Sequence, residues 1–172
     1  MCSRRGFIDD KSERYLNRGA ILLFTLKWQF IMEKIIKEKI SADHLLYVSL
    51  KYTKTCDVII NLLLRWKIMI ELGLENLIAK AKKEKKWKPV AAAPRAELVQ
   101  LSKIYANEPI VSKTLGLYEL FRDVEKLEKV RENEFRKGVN LKVTFRGQVV
   151  YINLETLKEY SQILEKFISY LK

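Results

Sequence analysis

The sequence predicts a mainly α fold: a helical bundle around one long central helix, with a small C-terminal β-hairpin followed by a terminal helix. Three observations carry this. Between Ser41 and Lys88 the apolar residues Tyr52, Cys56, Ile59, Leu63, Trp66, Ile70 and Leu77 recur at alternating steps of four and three, the period of an amphipathic helix. After Asn140 the period drops to two, with Leu141, Val143 and Phe145 alternating with Lys142, Thr144 and Arg146. Beyond Asn153 the helical period returns in Leu157, Tyr160, Leu164, Phe167 and Leu171.

The central helix is read first because the rest packs on it. Leu45, Leu46, Val48, Ile60, Leu62, Met69 and Leu74 widen its seam beyond a two-stranded stripe, so several neighbours are needed to cover it. Ser41 can cap its first turn and Asp43 adds negative charge there, while the lysines up to Lys88 suit a C-terminus and Pro89 forbids much continuation. A helix of roughly 45 residues is about 65 Å long, more than a domain of this size spans. Either Gly73 bends it or one end projects; Leu74, Leu77 and Ile78 continue the stripe past the glycine and favour one long or mildly bent helix.

Composition sets the frame around that helix. A chain of 172 residues, 48% hydrophobic and 31% charged, can bury one core, and richness in Lys, Glu and Ile with few Pro and Gly has a thermophile-like character. Met1–Arg18 mixes charges without an apolar period and reads as a loose tail; Ala20–Ile31 reads as a short apolar helix, so 1–31 stands apart from a single helical domain over 32–172. Met32 opens a start-like Met-Glu-Lys-Ile-Ile-Lys-Glu, which makes an over-extended reading frame over 1–31 an alternative. Asn61, Arg65, Lys67 and Glu71 interrupt the most hydrophobic run, Ile59–Leu74, so no membrane span and no membrane partner is expected. Cys2 and Cys56 form no disulfide framework, and Cys56 on the apolar seam reads as a buried thiol of a cytoplasmic protein.

The remaining elements follow in order. Lys88–Pro94, with two prolines around Val-Ala-Ala-Ala, suits a surface connector. Glu97–Ala106 carries Leu98, Leu101, Ile104 and Tyr105 on one helical face. From Ile110 a helix is expected through Leu117, Leu120, Phe121, Val124 and Leu127 towards Gly138, with Gly116 as a point of division. Gly147 turns one hairpin over 140–153, and Asn153 caps the helix over 154–171.

Residues able to carry chemistry are sparse. His44 is the sole histidine and has no partner at ligand or triad spacing, so neither a metal nor another cofactor is expected. Glu132 and Glu134 lie two apart in Arg131-Glu-Asn-Glu-Phe-Arg136, off a shared helical face, and read as a solvated charge run. There is no phosphate-binding glycine loop or nucleophile elbow, and the expectation is a protein that is not an enzyme.

One cluster stands out. Lys80, Lys82, Lys83, Lys85, Lys86 and Lys88 surround Trp87 in a chain of net charge +12. Lysines contact phosphates and a tryptophan can stack on a base, which suits RNA or DNA; the plainer reading is a lysine-rich helix end with Trp87 folded onto the core.

The stretch Arg131–Gly138 resembles a family. A bundle of antiparallel helices with an arginine near the end of a late helix is similar to the HEPN superfamily, many of whose members are ribonucleases with Arg, four to six residues, then His. Here Arg131 is followed six residues on by Lys137 and then Gly138, not His. The resemblance spans Ser41–Gly138 and implies a non-catalytic relative that binds RNA or a protein. The leading expectation is a non-enzymatic interaction protein that self-associates as a homo-oligomer, simplest as a dimer, through the broad apolar spine. The alternative is a nucleic-acid-binding module using the Lys80–Lys88 helix end, and a HEPN-type ribonuclease is a remote third.

Overall fold

A helical hairpin organises the molecule, and its bend lies where the sequence shows no break. The computed structural model describes residues 10–89 and 93–172. Helix α1 (Asp10–His44) runs through a π-helical turn (Leu45–Ser49) into α2 (Leu50–Thr53). The expected tail and short apolar helix are therefore one helix from Asp10 onward, and residues 1–9 of that tail lie outside the described residues. Ser41 caps nothing: the chain is already helical there, and its Oγ donates to the Lys37 carbonyl at 3.1 Å.

The direction reverses at Lys54, left-handed at φ 50° and ψ 48°, and Thr55, extended at φ −115° and ψ 148°. Helix α3 (Cys56–Lys83) follows, about 42 Å of helix for 28 residues. The central helix is thus shorter than expected, and the break falls at 54–55 instead of Gly73. Groups remote in sequence hold it. Phe135 N–H donates to Lys54 O at 2.8 Å, and Glu134 Oε1 accepts from Cys56 N–H at 2.9 Å, filling the N-cap role that Thr55 leaves open. Arg131 adds a 2.7 Å ion pair to Asp57 in the first turn of α3. Tyr52, expected on the buried seam, is exposed because its helix ends one residue later.

Past the bend the seam behaves as its period demands. Ile59, Leu63, Trp66, Ile70 and Leu77 are buried on α3 against α1, α5 (Pro109–Asp123), α6 (Leu154–Leu171) and the sheet. Most of its wide apolar surface is thus covered within the chain, while Ile68 stays exposed. A 3.0 Å ion pair between Arg65 and Glu38 fastens the solvent edge of the α1–α3 contact, while Ile31, Ile35 and Ala42 fill its interior. Trp66, Phe121 and Tyr160 join α3, α5 and α6 by tilted ring contacts at 5.9 and 5.6 Å.

Helix α4 (Pro94–Ile104) begins three residues earlier than the apolar pattern suggests, because Pro94 takes the first-turn position that needs no N–H. Pro109 does the same for α5, which runs unbroken through Gly116. The helix expected to reach Gly138 stops at Asp123. Lys129 Nζ donates to the carbonyls of Val124, Glu125 and Leu127, satisfying the helix end, and Lys129–Glu132 becomes strand β1. The mixed charges of 125–134 gave no hint of this strand, which exists through its pairing with β2 (Asn140–Phe145).

β2 pairs with β3 (Gln148–Ile152), so the expected hairpin is the outer part of a three-stranded antiparallel sheet. Arg146 and Gly147 connect them with φ of 53° and 77°, the doubly left-handed turn that matches strand twist. Asn153 caps α6, its Oδ1 accepting from Thr156 N–H at 3.0 Å. The fold class is that expected from sequence, and no described helix is long and apolar enough to cross a membrane.

Candidate nucleic-acid interface

The basic cluster lies where α3 ends. Glu84 N–H donates to Lys80 O, Lys85 N–H to Lys82 O at 3.1 Å and Lys86 N–H to Ala81 O at 2.9 Å, with Lys85 left-handed at φ 57°. This is a Schellman closure with lysine where glycine is usual. It turns the backbone sharply and sends Lys86, Trp87 and Lys88 back across the body instead of along the helix axis.

Trp87 does not stand out as a stacking platform. Its ring is half-buried on the core, the Trp87 backbone N–H donates to Ala81 O at 3.2 Å, and Lys82 Nζ lies 5.9 Å from the ring centroid. Lys80, Lys82, Lys83 and Lys85 are exposed around the helix end. Lys86 pairs with Glu84 at 2.7 Å; that bond holds the Glu84 carboxyl below its ordinary range and the Lys86 ammonium above it.

The fold adds cations that sequence reasoning missed. Helix α4 is anchored here by Gln100, whose Nε2 donates to Lys88 O at 2.9 Å. Arg95 and Lys103 on α4 then line the same groove as Lys86 and Lys88, an opening of about 840 Å³ floored by Val99 and Ile104 and without a carboxylate in its lining. A signal was present, since Arg95, Val99 and Lys103 repeat every four residues and so share a helical face. What sequence lacked was the contact that sets this face beside Lys86 and Lys88. The groove therefore gathers two of the seven sequence-predicted residues, while the others surround its α3 side.

Other candidate groups fall elsewhere. His44 is exposed at the end of α1, its Nδ1 3.5 Å from Ser49 Oγ, while the neighbouring Asp43 bonds to Lys39 at 2.6 Å. Cys56 is buried, and burial foremost, with the Glu134 carboxylate beside it, pushes its thiol up to about 11. Arg131 lies on β1, between Asp57 and Glu134. No group of three or more His, Cys, Asp or Glu among the described residues could hold a metal ion. Neither a family model, nor a curated protein, nor a solved structure matches the chain.

What the groove offers is positive charge on a shaped, partly apolar surface. Ammonium and guanidinium groups are the donors that suit a phosphate backbone, which needs counterion replacement and hydrogen bonds more than a rigid pocket.

Proposed function

We propose that this protein is a nucleic-acid-binding module that seats a phosphate backbone in the groove between the end of α3 and helix α4. The observation that carries the reading is the convergence of Lys88, Arg95 and Lys103, none of them in an ion pair among the described residues, around one opening whose fourth cation, Lys86, is paired with Glu84. Trp87 is committed to the core, so affinity comes from backbone contacts and sequence preference is small. The other helix-end lysines extend the positive field and speed encounter.

The test is binding of fluorescent RNA and DNA oligonucleotides across a salt series. About three phosphate contacts on a single strand give a log–log salt slope near −2, and Lys88→Glu with Arg95→Glu and Lys103→Glu flattens it. Absence of binding by the wild-type chain at low salt, or a variant that keeps the full slope, would overturn the reading.

A second reading is self-association, moved from the spine to α1. Leu22, Leu23, Leu26, Phe30 and Ile40 are each more than half exposed along that helix. Light scattering that finds only monomer at high concentration removes this reading and leaves the first intact.

A further inference from the structure

Three of the five left-handed non-glycine residues among the described ones, and the π-helical turn, gather at one place away from the basic groove. The π-helical turn Leu45–Ser49, the left-handed Lys54, and the left-handed Asn133 and Phe135 at φ 55° and 63° all meet where the α2–α3 bend touches the β1–β2 connection. Left-handed backbone is strained for a residue with a side chain, and such strain, like π-turns, concentrates at ligand sites. A cavity of about 750 Å³ opens there, within the range of small-molecule pockets.

Its walls have two distinct characters. Leu46, Leu50 and Val139 form a buried apolar floor, with Leu154 half-exposed at the rim. Around them stand Lys51, Lys54, Arg136, Lys137 and Lys158, brought from three segments, none of which forms an ion pair among the described residues. Two carboxylates share the lining. Glu132 accepts from Asn140 Nδ2 at 2.7 Å, and Glu155 belongs to the first turn of α6. Asn140 itself is nine-tenths buried in this wall, and its Oδ1 accepts no hydrogen bond.

We propose that this cavity binds a small amphipathic anion, with its apolar body on Leu46, Leu50 and Val139 and its carboxylate or phosphate among Arg136, Lys137 and Lys158. Burial of the apolar body supplies the affinity, since rim charges exposed to water contribute little each. The cations set the sign of the ligand: a tail of the same size with a cationic head meets repulsion instead of pairing.

Titration calorimetry with decanoate, decyl phosphate, decyltrimethylammonium and inorganic phosphate, below micellar concentrations, tests this. The expected result is saturable binding of decanoate or decyl phosphate, the tighter of the two identifying the head group. Binding should weaken roughly tenfold in Arg136→Glu/Lys158→Glu and severalfold in Leu154→Ser, whose sites are exposed enough to leave the fold intact by circular dichroism. Equal binding of the cationic amphiphile, equal binding of inorganic phosphate, undiminished binding by the charge variant, or no binding of either anionic amphiphile would each overturn the proposal. Oligonucleotide binding reads a different surface and does not bear on the outcome.

Discussion

A Cβ placed on Gly73 would lie 2.6 Å from Phe167 Cε1, and the Phe167 ring is fully buried. Leu171 Cδ1, at 2.9 Å, closes the other side. The glycine in α3 is therefore a packing seat for α6 and not a hinge. Gly73→Ala improves helix propensity by about 1 kcal/mol, but overpacking a closed core costs about 1–3 kcal/mol. The expected outcome is net destabilisation by about 1 kcal/mol in urea unfolding, recovered in part when Phe167→Leu is added. Stabilisation by Gly73→Ala alone would show that the ring can withdraw.

Lys85 closes α3 in a left-handed conformation that glycine adopts without strain. Lys85→Gly is expected to stabilise the fold by about 0.5–1 kcal/mol, whereas Lys80→Gly, inside the helix, should cost about as much. Arg146→Asn belongs to the same test, because Asn-Gly is the preferred pair for the β2–β3 turn. Thermal melts of the three variants check the signs.

Alkaline stability follows from buried acids. Burial first, then the Glu134 carboxylate, raises the Cys56 thiol from 9.0 to about 11; burial raises the Tyr105 and Tyr118 hydroxyls from 10.0 to about 12, with Glu71 adding at Tyr118. A group whose folded pKa is raised adds stability that is complete below its unfolded pKa and lost as pH climbs through the folded value. Unfolding free energy should therefore fall from about pH 9 to 12, and Cys56→Ala should remove the fall between about 9 and 10 and make it shallower between about 10 and 11, where the two tyrosines also contribute. A flat profile across that interval in the wild-type chain would contradict the burial of the thiol.

Glu134 caps a helix 78 residues away in sequence. Glu134→Ala leaves Cys56 N–H without its acceptor and should cost about 1–2 kcal/mol, with Glu134→Gln recovering part. Hydrogen exchange at the first turn of α3 provides the local readout. A loss no larger than that from an exposed control such as Glu159→Ala would show that the bend closes without this cap.

Much of the fold was legible because period and capping are local. The seam of α3, the two-residue alternation of β2, the Gly147 turn and the Asn153 cap each depend on neighbours a few residues apart. The lysine cluster and the fate of Trp87 as a residue folded onto the core were legible in the same way. Strand β1 was not, since Lys129–Glu132 has neither alternation nor apolar weight and takes its conformation from pairing with Asn140–Val143. Nor were Arg95 and Lys103 as neighbours of Lys86 and Lys88, a juxtaposition that depends on how α4 packs.

By itself, then, the sequence determined which segments are amphipathic, where the hairpin turns and how the last helix starts, because those choices are settled by side chains within one or two turns. Only the tertiary structure decided that the central helix breaks at Lys54 and Thr55. There the local pattern favours continuation, and the balance is tipped by Phe135 N–H, Glu134 and Arg131 arriving from the sheet to take up the groups that the break leaves unpaired.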